Sequence, residues 1–443
     1  MSPHALVIGG GAAGLTAALR LAQQGYRITI VERAERLGGR LATPDSFAAG
    51  PALPVVLMGW HQATLGLLAD LGTRKKVRFG HSPGLELRLR SGRLVTWPSP
   101  PLPATSRLVL ALMMFGGLSF RDRWRFVTWI ERTWENDPAI PADLGTHSAE
   151  AWLRSIGQSE TARTEVWTPV SEFFLGDDLA TVSASGLLAA LLAAFFSKRR
   201  HGHLAIPREG LDQLLIEPLQ AELIRRGVTI ALGRPLAAIS CDAHRVTGVA
   251  LQDGNRMIAD WYVAAVPRHD LTPLLPERAL TRFSYFHQLD QLVDSPALVV
   301  ELKIGQAMPA SRLILLADRS FDWLVAKPDA RSGVVSLVAT GKPECLDWCD
   351  EEIMNRATAD LHAAMPTMRD KPIQQRRLLR VPRAFLSLRP GTQAFRPLQQ
   401  SPFPNLLLAG DWTDTGLPST LDGAILSGDL CAKAISGKQT RSA

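Results

Sequence analysis

Residues 5–8 (ALVI) form an unbroken apolar run, short enough for a buried strand. Gly9–Gly14 interrupt it with a glycine turn. Apolar residues then recur at helical spacing over 14–24 until Gly25 ends the helix. A second apolar strand is predicted at 27–32. Strand, glycine turn, helix and strand make a β-α-β unit, the building block of a parallel sheet. From 60 to 135 helical stretches alternate with Pro-rich breaks such as Trp97-Pro98-Ser99-Pro100-Pro101, and 146–200 reads as helical. Residues 210–227 predict an amphipathic helix ended by Gly227. Strands are predicted at 228–232, 245–252, 260–266, 296–304 and 333–339, and a helix at 350–364. The chain closes with a strand at 405–409, a loop from Gly410 to Pro418 and a helix over 420–436.

The chain has 443 residues, which suits two domains or one domain with a large insertion. It is 46% hydrophobic and 21% charged, a globular balance without extended disorder. Its net charge of +7 suits anionic partners, nucleic acid or lipid headgroups. No nucleic-acid-binding motif is present, so the charge favours a lipid surface, beside the plainer reading of Arg-rich solvated faces. The four cysteines (Cys241, Cys345, Cys349, Cys431) make neither a CxxC pair nor a zinc pattern, which fits a reducing, cytoplasmic setting and no metal site. The first residues run straight into a strand, so no secretory leader is expected. No apolar run reaches the ~18–20 residues of a membrane span.

Three stretches carry chemistry. In Gly9-Gly10-Gly11-Ala12-Ala13-Gly14, Gly9 allows the tight turn, Gly11 lets backbone approach a pyrophosphate, and Gly14 permits close helix-on-strand packing. The helix that opens at Ala12 and Ala13 offers free N–H groups and a positive dipole end to phosphates. Glu32 ends the second strand where an acid bonds ribose hydroxyls. Arg33 follows it, and then Arg36-Leu37-Gly38-Gly39-Arg40, two glycines for close approach with arginines for phosphate oxygens. At the other end, Gly410-Asp411 leaves a strand, and Ser419, Thr420 and Leu421 open a helix.

The run VIGGGAAGLTAALRLAQQGYRITIVERAERLGGRL resembles the amine oxidase and phytoene desaturase superfamily of flavoproteins. The resemblance implies FAD as cofactor. It also implies an α/β fold: a Rossmann-like FAD-binding domain with an inserted α+β substrate-binding domain. The expected division is FAD-binding parts at 1–60, 205–270 and 386–443, a mostly helical, substrate- or membrane-facing region at 61–204, and a substrate-domain sheet at 271–385. Asp411 would meet the ribityl and pyrophosphate region, and the helix start near Ser419–Leu421 the flavin N1 and O2, where a helix N-terminus stabilises the charge of reduced flavin. Gly227–Leu236 resembles the segment whose backbone holds the adenine, and Val263–Pro267 the strand that returns to the FAD domain.

Gly410-Asp411-Trp412-Thr413-Asp414-Thr415-Gly416, with LPSTLDGAILSG after it, looks most like the polyprenoid branch, and the chain length suits its squalene-associated hydroxysqualene dehydroxylases. That resemblance implies hydride transfer at flavin N5 on a long isoprenoid. It takes the form of dehydroxylation of hydroxysqualene to squalene, or else desaturation of the phytoene type. An accessory flavoprotein beside an isoprenoid synthase and an amine oxidase are further readings. Two departures stand out. Residues 48–54 lack the polar stretch that squalene-associated members carry. Ser295–Val300 lacks the lysine that amine oxidases place beside the flavin. Candidate acids are Asp414, Asp422 and His61, each with a structural reading as loop, helix-start or packed residue. Residues 108–120 and 186–196 are apolar runs with basic flanks. They suit helices lying in a membrane interface, or buried helices lining a tunnel, and hence a location peripheral on the inner membrane face.

Overall fold

The structure is a computed structural model that describes residues 2–41, 53–83, 85–100, 102, 104–134, 140–196, 201–207, 210–305, 308, 312–327 and 333–442. Residues 48–52 of the missing polar stretch, and Lys198, Arg199 and Arg200 after the second apolar run, lie outside the described residues.

Five short strands from three separated parts of the chain build one parallel sheet. Its order is Leu406–Leu408, Trp261–Ala264, His4–Ile8, Arg27–Val31, Thr229–Ala231. Such strands are buried on both faces, which is why each reads as a continuous apolar run. The helix Ala12–Gln23 follows the first strand and packs on the long C-terminal helix Leu421–Ser442. The two helices touch so closely that a Cβ on Gly428 would lie 2.4 Å from the Ala13 carbonyl. Arg20 fastens the same contact with a 2.7 Å bond to Asp429.

A second sheet of seven strands runs Ile373–Leu386, Asp294–Ile304, Gly333–Thr340, Trp323–Lys327, Arg312–Leu316, Leu85–Arg88, Leu94–Thr96. Its two faces are sorted by the strand period of two. Leu298, Val300 and Leu302 pack with Ile353, Ala357 and Leu361 of the helix Asp350–Ala364. Ala297 and Val299 share a core with Trp97, Leu108, Leu112, Phe126, Trp167 and Leu188 of the helical region.

The 61–204 stretch was expected to be mostly helical, yet 85–88 and 94–96 join this sheet. Other strands also escaped the apolar pattern, among them 77–83, 203–207, 236–241, 312–316, 323–327 and 373–386. The last is an edge strand with Pro382 and five of its first eight positions polar, and an edge tolerates both. The apolar run at 186–196 is interior. It forms the helix Ala184–Leu191 and a wider turn Leu192–Phe196, with Leu187, Leu188, Leu191 and Phe195 buried. The structure thus corrects a membrane-facing reading of that run. No helix among the described residues is long and apolar enough to cross a membrane.

Candidate FAD site

The two glycine motifs of the N-terminal end meet face to face. Gly38 N–H donates to the Gly10 carbonyl at 2.8 Å, and a Cβ on Gly39 would sit 3.3 Å from the Gly11 Cα. Above Gly11 the backbone is open: a Cβ built there meets nothing within 4 Å. The cradle therefore leaves room for a ligand where the helix N-terminus points. Glu32 is buried and accepts from Gly10 N–H at 2.6 Å and Ala34 N–H at 2.9 Å. Gly233 and Arg234 bond back to the Ala34 and Glu32 carbonyls at 2.9 Å each, which sets Leu236 at the start of the next strand beside the acid. Arg33 points elsewhere and pairs with Asp270 at 3.2 Å.

Arg40 joins the two ends of the chain. Its guanidinium reaches Asp411 Oδ1 at 2.6 Å, and Ser419 Oγ donates to Asp411 Oδ2 at 2.7 Å. Burial pushes the Asp411 carboxyl up, but the charge and bond of Arg40 and the Ser419 bond outweigh it and hold the group below its usual range. Thr420 caps the helix that Leu421 begins, accepting from Gly423 N–H at 3.3 Å. Leu386 N–H donates to Ser419 Oγ at 3.4 Å, so the seven-stranded sheet abuts the helix start.

What holds the loop after Asp411 is not legible in the sequence. Arg396 is buried and binds three of its carbonyls: Asp411 at 3.1 Å, Thr413 at 2.6 Å and Leu417 at 2.8 Å. Gln399 adds Thr413 Oγ1 at 3.2 Å and the Asp414 carbonyl at 2.9 Å. An arginine and a glutamine in a Pro-rich loop carry no spacing signal, so only the fold reveals this clamp.

The three candidate acids all hold backbone. Asp414 accepts from Gln393 Nε2 at 2.8 Å and Gly416 N–H at 3.0 Å, ordering the loop. Asp422 is buried and accepts from Thr64 N–H at 2.7 Å and Thr64 Oγ1 at 2.8 Å, so it caps the helix Gln62–Asp70. Burial raises its pKa against those bonds. His61 stands at the same helix start, and its Nδ1 accepts Met58 N–H at 3.0 Å. The structure brings His61 and Asp422 to one helix end. Asp414 bonds to neither. Removing the Asp422 cap leaves buried N–H groups without an acceptor. Asp422→Ala is therefore expected to lose about 2 kcal/mol in urea unfolding, most of it recovered by Asp422→Asn; equal midpoints for all three chains would refute the capping role.

The amine-oxidase lysine position stays apolar: Ala297 and Val299 are fully buried and face the helical region. Farther along the strand, Glu301 is buried and bonded by Arg377 Nε at 3.0 Å and Ser336 Oγ at 3.2 Å. A half-buried lysine, Lys342, is held by Asp322 and, at 3.4 Å, by Glu172. Burial lowers its pKa, but the two carboxylates outweigh that and raise it, so it stays a cation and no free base. Among the described residues no group of three or more His, Cys, Asp or Glu side chains could hold a metal.

A parallel sheet with a double-glycine cradle, an acid at the second strand and a helix start facing it from the other end defines an FAD-dependent oxidoreductase. The chain belongs to the flavin containing amine oxidoreductase family, whose pattern matches residues 12–436. It is 26% identical over 466 residues to the 15-cis-phytoene desaturase of Synechococcus elongatus, covering 98% of this chain and 96% of that one. It is 23% identical over 500 residues to the zeta-carotene desaturase of Synechocystis sp., covering 98% and 97%. Its fold matches cyclohexylamine oxidase from Brevibacterium oxydans with a TM-score of 0.70 at 18% identity, over 99% of this chain and 100% of that one.

Proposed function

We propose that this flavoenzyme desaturates a long, apolar polyprenoid. The observation that carries the reading is the wholly apolar lining of a narrow pocket in the helical region, where Trp97, Leu108, Leu112, Phe126, Trp134, Trp167, Leu188 and Phe195, among others, include no charged side chain. Phe174, on the helix Thr168–Leu175, packs edge-on to Phe195, and its neighbour Phe173 packs edge-on to Trp323 of the seven-stranded sheet. Bound FAD supplies a hydride acceptor at N5. The net reaction would remove two hydrogens from neighbouring carbons of the substrate, leave a double bond between them and reduce the flavin by two electrons. The chain's own part is to orient the hydrocarbon and exclude water around the cationic transition state. The apolar Ala297 and Val299 offer no amine-handling group. The desaturases among the relatives support the same direction.

Dehydroxylation of hydroxysqualene is the second reading, favoured by the chain length and the GDWTDTG and LPSTLDG runs. An anaerobic titration separates the two. Detergent-dispersed phytoene is expected to bleach the oxidised flavin and gain a double bond. Pre-reduced protein turning hydroxysqualene into squalene would favour the second reading instead. Turnover with neither would leave an accessory flavoprotein beside an isoprenoid synthase, and bleaching by amines alone would restore amine oxidation.

A further inference from the structure

The two helices Ala104–Met114 and Phe120–Thr133 form a hairpin with two unlike sides. Its inner side is pocket wall: Leu108 and Leu112 from the first helix, Phe126 from the second. Its tip is apolar and wet. Met114 is 58% exposed, Phe120 68% and Trp124 57%, with Leu102 and Leu110 also exposed nearby. Other exposed large apolar residues among those described, such as Ile224, Ile258 and Leu398, are scattered over distant parts of the chain. Single exposed apolar side chains need no explanation, but a cluster at one helix tip does.

The tip is rigid and positively charged. Arg123 staples the turn, donating to the Met113 carbonyl at 2.7 Å and the Leu118 carbonyl at 2.9 Å. Ser119 caps the second helix, and the buried Asp122 accepts from Ser159 N–H at 2.7 Å. Phe120 and Trp124 are four residues apart and so stand on one helix face. Arg121 and Arg132 are exposed on the same helix. Arg123 and Arg125 donate to backbone carbonyls, and on this helix only Asp122 and Glu131 oppose the four arginines.

We propose that this hairpin tip docks the enzyme on an anionic lipid bilayer, with Met114, Phe120 and Trp124 entering the headgroup boundary. The charge sign selects the partner: exposed arginines beside aromatic and aliphatic side chains fit phosphate headgroups over acyl chains. The same two helices that touch the lipid line the pocket behind it. A hydrocarbon entering from the bilayer would thus travel along this hairpin, a path to the pocket that avoids water. The surface deepens the polyprenoid reading and rests on it for that path, but its binding can be measured without any substrate.

The experiment is vesicle flotation of the FAD-loaded protein, wild type against a Met114→Ser/Phe120→Ser/Trp124→Ser variant. The vesicles are phosphatidylcholine alone or with phosphatidylglycerol. Wild type is expected to float with the anionic vesicles and to weaken with salt, and the variant to bind at least about tenfold more weakly at unchanged melting temperature. Brominated lipid is expected to quench wild-type tryptophan fluorescence, and Trp124→Phe to lose most of that quenching. With detergent-dispersed phytoene the variant should match wild type in flavin reduction; with phytoene held in vesicles it should fall behind. Wild type that ignores both vesicle types overturns the proposal, as does a variant that floats equally well. So does a variant that alters only the oligomeric state by ultracentrifugation, which would assign the tip to a second copy of the chain. Wild type that floats but is reduced by no polyprenoid supports the docking surface and sinks the substrate reading.

Discussion

Replacing Gly9 with alanine is expected to give a chain that retains little or no flavin. Gly9 has φ +104°, a region a residue with a Cβ enters only with strain. The added Cβ would also lie 2.5 Å from the Ala265 carbonyl oxygen and 3.3 Å from Val266 Cγ1. That carbonyl belongs to the strand connection beside the first strand, since Ala265 N–H bonds the Ile8 carbonyl at 2.8 Å. Neither neighbour is a flexible side-chain end, so backbone must move. Strain and overpacking together cost about 3 kcal/mol. If that cost falls on the bound state, FAD affinity drops by roughly 100-fold. Flavin absorbance per protein after gel filtration, with a melting curve beside it, reads both effects. A Gly9→Ala protein with full flavin content and an unchanged melting temperature would show that the turn relaxes freely.

The second large effect is in pH. Burial without a compensating charge lowers the His61 pKa from 6.5 to about 3. In the unfolded chain the ring takes a proton as pH falls below 6.5, while the folded ring stays neutral until about pH 3. The stability tied to the neutral ring is therefore whole above pH 6.5 and drains as the pH falls toward 3. The drain is about 1.4 kcal/mol per pH unit. Between about pH 7 and about pH 5 the wild type is expected to lose roughly 2 kcal/mol more stability than His61→Gln. Urea midpoints at the two pH values test it, and parallel losses in both chains would place the pH sensitivity elsewhere. Burial disfavours the imidazolium and Met58 N–H already occupies Nδ1, and both argue against the acid role considered for His61.

Much of the cofactor end was legible in the chain because its signals are local. Gly9 to Gly14, Glu32 and Gly38–Arg40 lie within one β-α-β unit, and turn chemistry and apolar runs depend on neighbours in sequence. The strands at 5–8, 27–32, 228–232, 260–266 and 405–409 appear within a residue or two of their predicted bounds because parallel, doubly buried strands are apolar throughout. The 373–386 strand was illegible for the opposite reason. Its first residues, IQQRR, look like a polar loop, and only its long neighbour at 294–304 makes it a strand.

By itself, then, the sequence determined the cofactor class, the parallel sheet and the meeting of the two chain ends within it. Tertiary structure decided the rest. It set Arg40 on Asp411 across 371 positions, and Arg396 on three carbonyls of a loop that its own neighbours do not predict. It turned Asp422 into a helix cap and buried His61, because a side chain's role follows from what reaches its polar atoms, and those partners come from distant segments. It also separated two apolar runs of similar appearance, sinking 186–196 into the core and leaving Met114, Phe120 and Trp124 in solvent. Hydrophobicity alone could not separate them, since it records that a side chain avoids water and not which surface is available to cover it.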